Sequence, residues 1–88
     1  MKAEMYSLVR QITGEKEAVL EAQDVRAALE ALRRRYGPEF AALVYDGKAL
    51  HDGINILLRG KNIHVLQGLD TPLSEGDVIS LFYSIEGG

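Results

Sequence analysis

The amino-acid sequence predicts a small α+β roll in which one main helix crosses a mixed sheet and the first and last strands lie side by side. Three observations predict it. Apolar and polar residues alternate near the N-terminus, as they do in a half-buried strand. The apolar residues then recur with helical spacing over Val25–Tyr36. Finally, Val78–Phe82 is rich in β-branched and aromatic residues, which indicates a central strand covered on at least one face.

The N-terminal part of the chain predicts a hairpin. Residues Met1–Ile12 are expected to be extended, with a bulge or an early strand end near Tyr6, where the apolar phase shifts. A turn follows that contains Gly14, which can adopt a positive φ. The run Glu17–Ala22 alternates again and supplies the second strand.

The helix is delimited by signals at both ends. Asp24 is a good N-cap, because its carboxylate can accept hydrogen bonds from free amides of the first turn. Apolar side chains form one continuous stripe over Val25–Tyr36. Gly37 suits a left-handed cap, and Pro38 is expected to prevent the helix from continuing.

Three further strands and a loop complete the predicted roll. Ala41–Tyr45 is expected to be a strand that ends at an Asp-Gly turn. Ile54–Leu58 and Asn62–Val65 are expected to form a hairpin, and Gln67–Glu75 is expected to be a structured loop. Asp77–Tyr83 is the last strand.

Composition restricts the possible classes of protein. The 88 residues are enough for one domain, which we place at residues 1–83, followed by a flexible tail at residues 84–88. The absence of cysteine excludes disulfides, thiol nucleophiles and cysteine-ligated zinc. A net charge of −3 argues against nucleic-acid binding. Glu4 and Arg10 interrupt any apolar leader and no run approaches the roughly 20 residues of a membrane span, so a cytoplasmic protein without membrane contact is expected.

Two stretches and the last two residues resemble a known family. Gly53–Ile63 and Gly68–Phe82, with its Gly-Asp-Val strand opening, are similar to segments of the ubiquitin-like sulfur carriers, above all the small subunit of molybdopterin synthase. The terminal pair Gly87 and Gly88 follows at the family's distance. The resemblance implies a ubiquitin-like β-grasp roll with an extended C-terminal Gly-Gly tail.

The resemblance also implies a chemistry for the tail. An ATP-using activating enzyme, similar to those that activate ubiquitin, would adenylate the carboxylate of Gly88, and a sulfur donor protein would convert it to a thiocarboxylate. Glu86 and Gly87 would thread into a partner, and glycine suits the last two positions, Gly87 and Gly88, because it has no side chain to collide with channel walls. The partner implied is the large subunit of molybdopterin synthase, which would carry the catalytic side chains. The carrier would bind no cofactor and have no activity alone, and ATP would be used only by the activating enzyme.

The segment before the Gly-Gly pair is the predicted docking site for partners and also departs from the family. Family tails commonly read Phe-Pro-Pro-Val-Ala-Gly-Gly, whereas this chain has Phe82, Tyr83, Ser84 and Ile85 before Glu86. We expect Phe82 to pack inward, and Tyr83 and Ile85 to lie near the surface. This departure leaves two other readings open: a modifier joined through its last glycine to lysines, or a carrier for thiamine or tRNA thiolation. A third reading is an interaction domain with an inert tail.

Other polar residues carry weaker signals. His51 and His64 lack the short spacing of metal-binding motifs, so we predict surface histidines and no metal site. The basic run Arg33–Arg35 complements the dipole at the end of the predicted helix. The sequence contains no phosphate-binding glycine motif and no recognisable catalytic triad.

Overall fold

The computed structural model describes residues 1–84, which form a five-stranded sheet, a separate two-stranded sheet and three helices. Two 3₁₀ turns lie at Ile63–Val65 and Gly68–Asp70. The strands and helices, in chain order, are β1 Lys2–Met5, α1 Ser7–Thr13, β2 Glu17–Val19, α2 Val25–Tyr36, α3 Pro38–Val44, β3 Tyr45–Asp46, β4 Ala49–Leu50, β5 Ile54–Leu58, β6 Lys61–Asn62 and β7 Val78–Tyr83.

The main sheet is mixed and has the strand order β2-β1-β7-β5-β6. Strands β1 and β7 run parallel, with Ala3 paired to Ile79, while the other neighbouring pairs are antiparallel. The prediction that the first and last strands lie side by side is therefore confirmed. Strand β7 occupies the centre of the sheet, as its nearly unbroken apolar sequence predicts.

The core lies between one face of the sheet and the helices, and α2 is its main helical component. The Asp24 carboxylate accepts a hydrogen bond of 2.8 Å from the Ala27 N–H, as predicted for an N-cap. The α2 stripe is buried against the inner face of the sheet, and each fully buried leucine contributes about 1.5–3 kcal/mol by leaving water. The fully buried large side chains are Met5, Val9, Val25, Leu29, Leu32, Phe40, Val44, Ile56, Leu58, Ile63, Ile79 and Leu81.

The prediction that Met1–Ile12 is extended is wrong after Met5. Of the two alternatives predicted near Tyr6, the early strand end is confirmed and the bulge is wrong: β1 ends at Met5 and the short helix α1 follows. Val9 is buried and Ile12 packs against the core, a spacing of three residues that belongs to a helix. Gly14 has the predicted positive φ, 73°, but it caps α1 by donating its N–H to the Arg10 carbonyl.

The predicted strand Ala41–Tyr45 is instead mostly helix α3. Pro38 begins this helix rather than only ending the previous one, because the first turn of a helix does not need the N–H that proline lacks. Phe40 and Val44, four residues apart, are fully buried on one face. Only Tyr45 continues into a strand, and the predicted Asp-Gly turn then connects β3 to β4.

Two other predicted strands are shorter than expected. The strand expected over Glu17–Ala22 ends at Val19. The run Asn62–Val65 pairs with β5 only at its start, and its remainder is the first 3₁₀ turn. The predicted hairpin between β5 and β6 is nevertheless present. Among residues 1–84, no helix is long and apolar enough to cross a membrane.

Candidate functional site: the root of the C-terminal segment

Strand β7 carries the chain from the centre of the sheet to the last residues that the structure describes. We call Phe82, Tyr83 and Ser84 the tail root. The Ser84 N–H donates a hydrogen bond of 2.8 Å to the Gly53 carbonyl, which extends the pairing between β5 and β7. The predicted site residues Ile85, Glu86, Gly87 and Gly88 lie outside the described residues, and their roles stay predictions.

The two aromatic side chains of the tail root face opposite sides of the sheet, in the reverse of the predicted orientation. Ile79 and Leu81 are fully buried on the inner face of the sheet. Because alternate residues of a strand share a face, Tyr83 lies on this inner face too, and its side chain packs against the core. Phe82 therefore belongs to the outer phase with Ser80, and it is half-buried. The prediction failed because an apolar strand with no polar alternation does not reveal which phase faces the core.

The Tyr83 ring rests on a residue that has no side chain. A Cβ added to Gly53 would lie 2.5 Å from Tyr83 Cζ, which is closer than any ordinary carbon contact. The Gly53 N–H also donates to His51 Nδ1 at 3.1 Å. His51 in turn contacts Tyr83, with 5.4 Å between ring centroids and 3.4 Å between Nδ1 and the phenol oxygen. Gly53 is thus part of the site because of the close approach of an aromatic ring.

A serine from the other end of the chain holds the opposite edge of the tail root. The Ser7 hydroxyl accepts a hydrogen bond of 3.1 Å from the Tyr83 N–H and donates one of 3.2 Å to the Tyr83 carbonyl. Sequence reasoning did not identify Ser7, Gly53 or His51 as site residues. Ser7 and Tyr83 are 76 positions apart, so no local pattern indicates the contact.

A cavity of about 410 Å³ lies beside the tail root. It is lined by residues 51–53, Asn55 and residues 82–84. The cavity therefore combines the side chains of His51, Asp52 and Asn55 with the edge of an aromatic strand. This mixture of apolar and hydrogen-bonding groups is typical of a surface that receives part of another molecule.

The two histidines differ in their surroundings. His64 is exposed on the first 3₁₀ turn, as predicted for a surface histidine. His51 is half-buried against Tyr83, so that prediction is wrong for His51. Within residues 1–84, no group of three or more histidine, cysteine, aspartate or glutamate side chains could hold a metal ion.

A second groove, of about 570 Å³, lies on the helical side and contains a network of paired charges. Arg33 donates to both carboxylate oxygens of Glu30, and this contact lowers the pKa of Glu30. The Tyr45 hydroxyl also donates to Glu30 at 3.2 Å. Burial, and next the negative charge of Glu30, raise the pKa of Tyr45 to about 12. Arg33, Glu30 and Tyr45 thus provide hydrogen-bond partners for one another. This arrangement is typical of a structural network and not of a nucleophile with its general base.

The topology and the tail root together define a ubiquitin-like protein of the β-grasp class that presents its C-terminal segment from a central strand. The family model of the ThiS family matches residues 5–88. The chain belongs to the ThiS family, whose members are ubiquitin-like small sulfur carriers.

The chain is also similar to three known proteins. It is similar to small archaeal modifier protein 3 of Haloferax volcanii, with 26% identity over 91 residues that cover 100% of this chain and 98% of the relative. The solution structure of small archaeal modifier protein 1 from Methanosarcina acetivorans has a TM-score of 0.86 and 29% identity, covering 99% and 94% of the two chains. A chain of the BexX/CysO complex of Amycolatopsis orientalis has a TM-score of 0.84 at 20% identity, covering 99% and 98%. The predicted β-grasp fold is thereby confirmed.

Proposed function

We propose that this chain carries sulfur as a thiocarboxylate on Gly88 and delivers it in molybdopterin biosynthesis, as the small subunit of molybdopterin synthase. The family match over residues 5–88 supports the carrier role. The observation that carries the proposal is the tail root: it ends a central strand, it is bonded along both edges, and only two residues separate it from the Gly-Gly pair in the sequence. The resemblance of Gly53–Ile63 and Gly68–Phe82 to the molybdopterin synthase subunit supports the pathway.

The proposed chemistry uses the main-chain carboxylate alone. A C-terminal carboxylate has an ordinary pKa of about 3.3–3.7 and is ionised at neutral pH, so it can attack the α-phosphorus of ATP. Pyrophosphate leaves and an acyl-adenylate forms. A sulfur nucleophile at the oxidation level of sulfide then attacks the carbonyl carbon and displaces AMP, so that one oxygen is replaced by sulfur. These steps occur in the active sites of partner enzymes.

Intact-mass measurement tests this proposal. The wild-type protein is incubated with its activating enzyme, ATP and a sulfur donor, and we expect a mass increase equal to the replacement of one oxygen by sulfur. The variant that lacks Gly88 and the Gly88→Ala variant should show no increase and should melt like the wild type. Gly76→Ala is the matched glycine control, because no atom lies within 4 Å of its added Cβ, and it should be loaded normally. Loading of the Gly88 deletion would contradict the proposal.

The outer face beside the tail root is the proposed docking surface for the large subunit. Phe82 is half-buried there, and its outer-phase neighbour Val78 on the same strand is 38% exposed. Aromatic residues are enriched in interfaces, and the few interface positions that dominate binding cost about 2 kcal/mol or more when truncated. Phe82→Ser should therefore weaken binding of the co-purified large subunit by at least about tenfold in calorimetry. Val65→Ser, at a 72% exposed position on a 3₁₀ turn, should have little effect, and an equal loss in both variants would contradict this surface.

A second function, as a protein modifier joined through Gly88 to lysines, is favoured by a different observation. The relatives at 26% and 29% identity are both named small archaeal modifier proteins. Peptide mass spectrometry would detect conjugates, provided that the protease suits this chain. The last lysine or arginine is Lys61, so trypsin would leave a long remnant on the target. Cleavage after Glu86 by a glutamate-specific protease would leave the Gly-Gly pair on the modified lysine. Absence of such remnants from cells that contain the loaded carrier would exclude this second function.

A further inference from the structure

Sheet pairing on one edge of β7 stops before the tail root. The last pair of the parallel ladder is Met5 with Leu81, and the Tyr6 N–H donates to the Leu81 carbonyl at 3.0 Å. The chain then turns into α1. Residues two apart in a strand direct their backbone groups to the same side, so the N–H and carbonyl of Tyr83 face the position where β1 would have continued. The Ser7 hydroxyl meets both groups there and replaces the missing strand.

The backbone of Ser7 is in an uncommon conformation. Its φ is 50°, and within residues 1–84 only Arg59 is another non-glycine residue with positive φ. Arg59 lies with Gly60 in the two-residue hairpin turn between β5 and β6, where the turn type itself demands positive φ. Ser7 lies at a junction of strand and helix, where glycine would adopt the same φ without strain. Because glycine has no hydroxyl, the two hydrogen bonds to Tyr83 give a physical reason for serine at this position.

We propose that Ser7 is a positioning residue that fixes the direction in which the chain leaves the sheet at Tyr83. Gly53 secures the other edge, since its carbonyl accepts from the Ser84 N–H and its Cα supports the Tyr83 ring. With both edges held, the tail root is ordered before a partner binds, so less ordering remains to be done when an activating enzyme takes up the tail. This role rests on the proposed function of Gly88 as the reacting residue.

Hydrogen exchange of single backbone amides tests, in the absence of any partner, whether the Ser7 hydroxyl holds the backbone of Tyr83. Loss of the hydroxyl in Ser7→Ala leaves the Tyr83 N–H without its acceptor, so its exchange should accelerate about 2- to 10-fold, the range expected for one net hydrogen bond. The Ile79 amide, at a fully buried residue near the start of the same strand, should keep its rate. Ser7→Gly should behave like Ser7→Ala. If Ser7 served only to supply a positive φ, Ser7→Gly would instead match the wild type, and that result would overturn the proposal.

Activation kinetics then test the positioning role. The rate of pyrophosphate release by the activating enzyme is measured against the concentration of carrier. Both Ser7 variants should lower kcat/KM by about 2- to 10-fold through a higher KM, with kcat near the wild-type value, because the added cost falls on ordering the tail at binding. Ser74→Ala removes an exposed hydroxyl elsewhere and should leave both readouts unchanged. Wild-type kcat/KM in both Ser7 variants would overturn the inference, whereas no pyrophosphate release with the wild-type carrier would instead overturn the proposed function.

Discussion

Replacing Gly53 by alanine tests whether the tail root requires a residue without a side chain under the Tyr83 ring. The new Cβ would lie 2.5 Å from Cζ, 2.7 Å from Cε2 and 2.8 Å from the phenol oxygen. Carbon atoms in contact prefer about 3.5–4.0 Å, so the ring must move outward by roughly 1 Å or more. Because these atoms are at the far end of a side chain, the ring can swing away, and the cost is the lost packing against the core and His51.

The expected destabilisation follows from two opposing contributions. Forcing an extra methyl group into a packed site costs about 1–3 kcal/mol. The φ of Gly53 lies outside the left-handed region, so alanine fits the backbone and stabilises by about 0.4–1 kcal/mol through the unfolded state. The net loss in the free energy of unfolding is therefore about 1.3 kcal/mol, the difference between the midpoints of the two ranges. At this chain length it lowers the melting temperature by about 5–10 °C.

Urea unfolding of four proteins isolates the contact: the wild type, Gly53→Ala, Tyr83→Ala and the double variant. Without the Tyr83 ring, the alanine at position 53 meets no obstacle, so Gly53→Ala should be neutral or slightly stabilising in that background. The coupling energy should equal the overpacking cost alone, about 1–3 kcal/mol, because the unfolded-state gain of alanine is the same in both backgrounds. Gly76→Ala, which has open space around its added Cβ, should change stability by less than about 0.5 kcal/mol. An equal loss from Gly53→Ala with and without Tyr83 would refute the reasoning.

Two further predictions concern the N-cap of α2 and the tyrosine that follows α3. Asp24→Ala removes the acceptor for the Ala27 N–H and should lower the free energy of unfolding, measured in urea, by about 1 kcal/mol. Glu21→Ala, at an exposed position, should change it by less than about 0.5 kcal/mol. Equal effects of the two variants would contradict the role of Asp24 as the N-cap. Burial and Glu30 raise the pKa of Tyr45 from the usual 10.0 to about 12, so the folded state favours the neutral phenol. Its contribution to stability is complete below pH 10 and is lost as the pH rises from 10 to 12. Burial and Glu15 raise the pKa of Tyr36 to about 12 as well, so tyrosinate absorbance should show a high-pH transition of two tyrosines, and Tyr45→Phe should remove about half of its amplitude. An unchanged amplitude of that transition in Tyr45→Phe would contradict the prediction.

The parts of the fold that could be predicted are those with local signals. For α2, a capping aspartate, a long stripe and a terminal Gly-Pro pair all indicate the same boundaries, and the helix was predicted at its observed length. Helices α1 and α3 have seven residues each, and over so short a span the helical and strand periods are difficult to distinguish. Pro38 was interpreted only as a helix end, although proline is equally compatible with a helix start.

The site could be predicted only in part, for a similar reason. The resemblance located the tail root and the Gly-Gly pair from residues that are contiguous in the sequence. The partners of Tyr83 come from the turn before β5 and from the junction after β1, and the tertiary fold alone brings them together. Gly53 was visible in the sequence as one of several turn glycines, but its role depends on the ring that lies above it.

The central position of β7 has a consequence for how the protein forms. Both neighbours of β7 precede it in the chain, so β7 is synthesised after every other strand of this sheet. The pairing of β1 with β7 joins residues more than 70 positions apart, the kind of contact that forms late and cooperatively in folding. A truncated or incompletely folded copy therefore lacks an ordered tail root. Any enzyme that binds only an ordered tail root would therefore act on folded copies and not on unfolded ones.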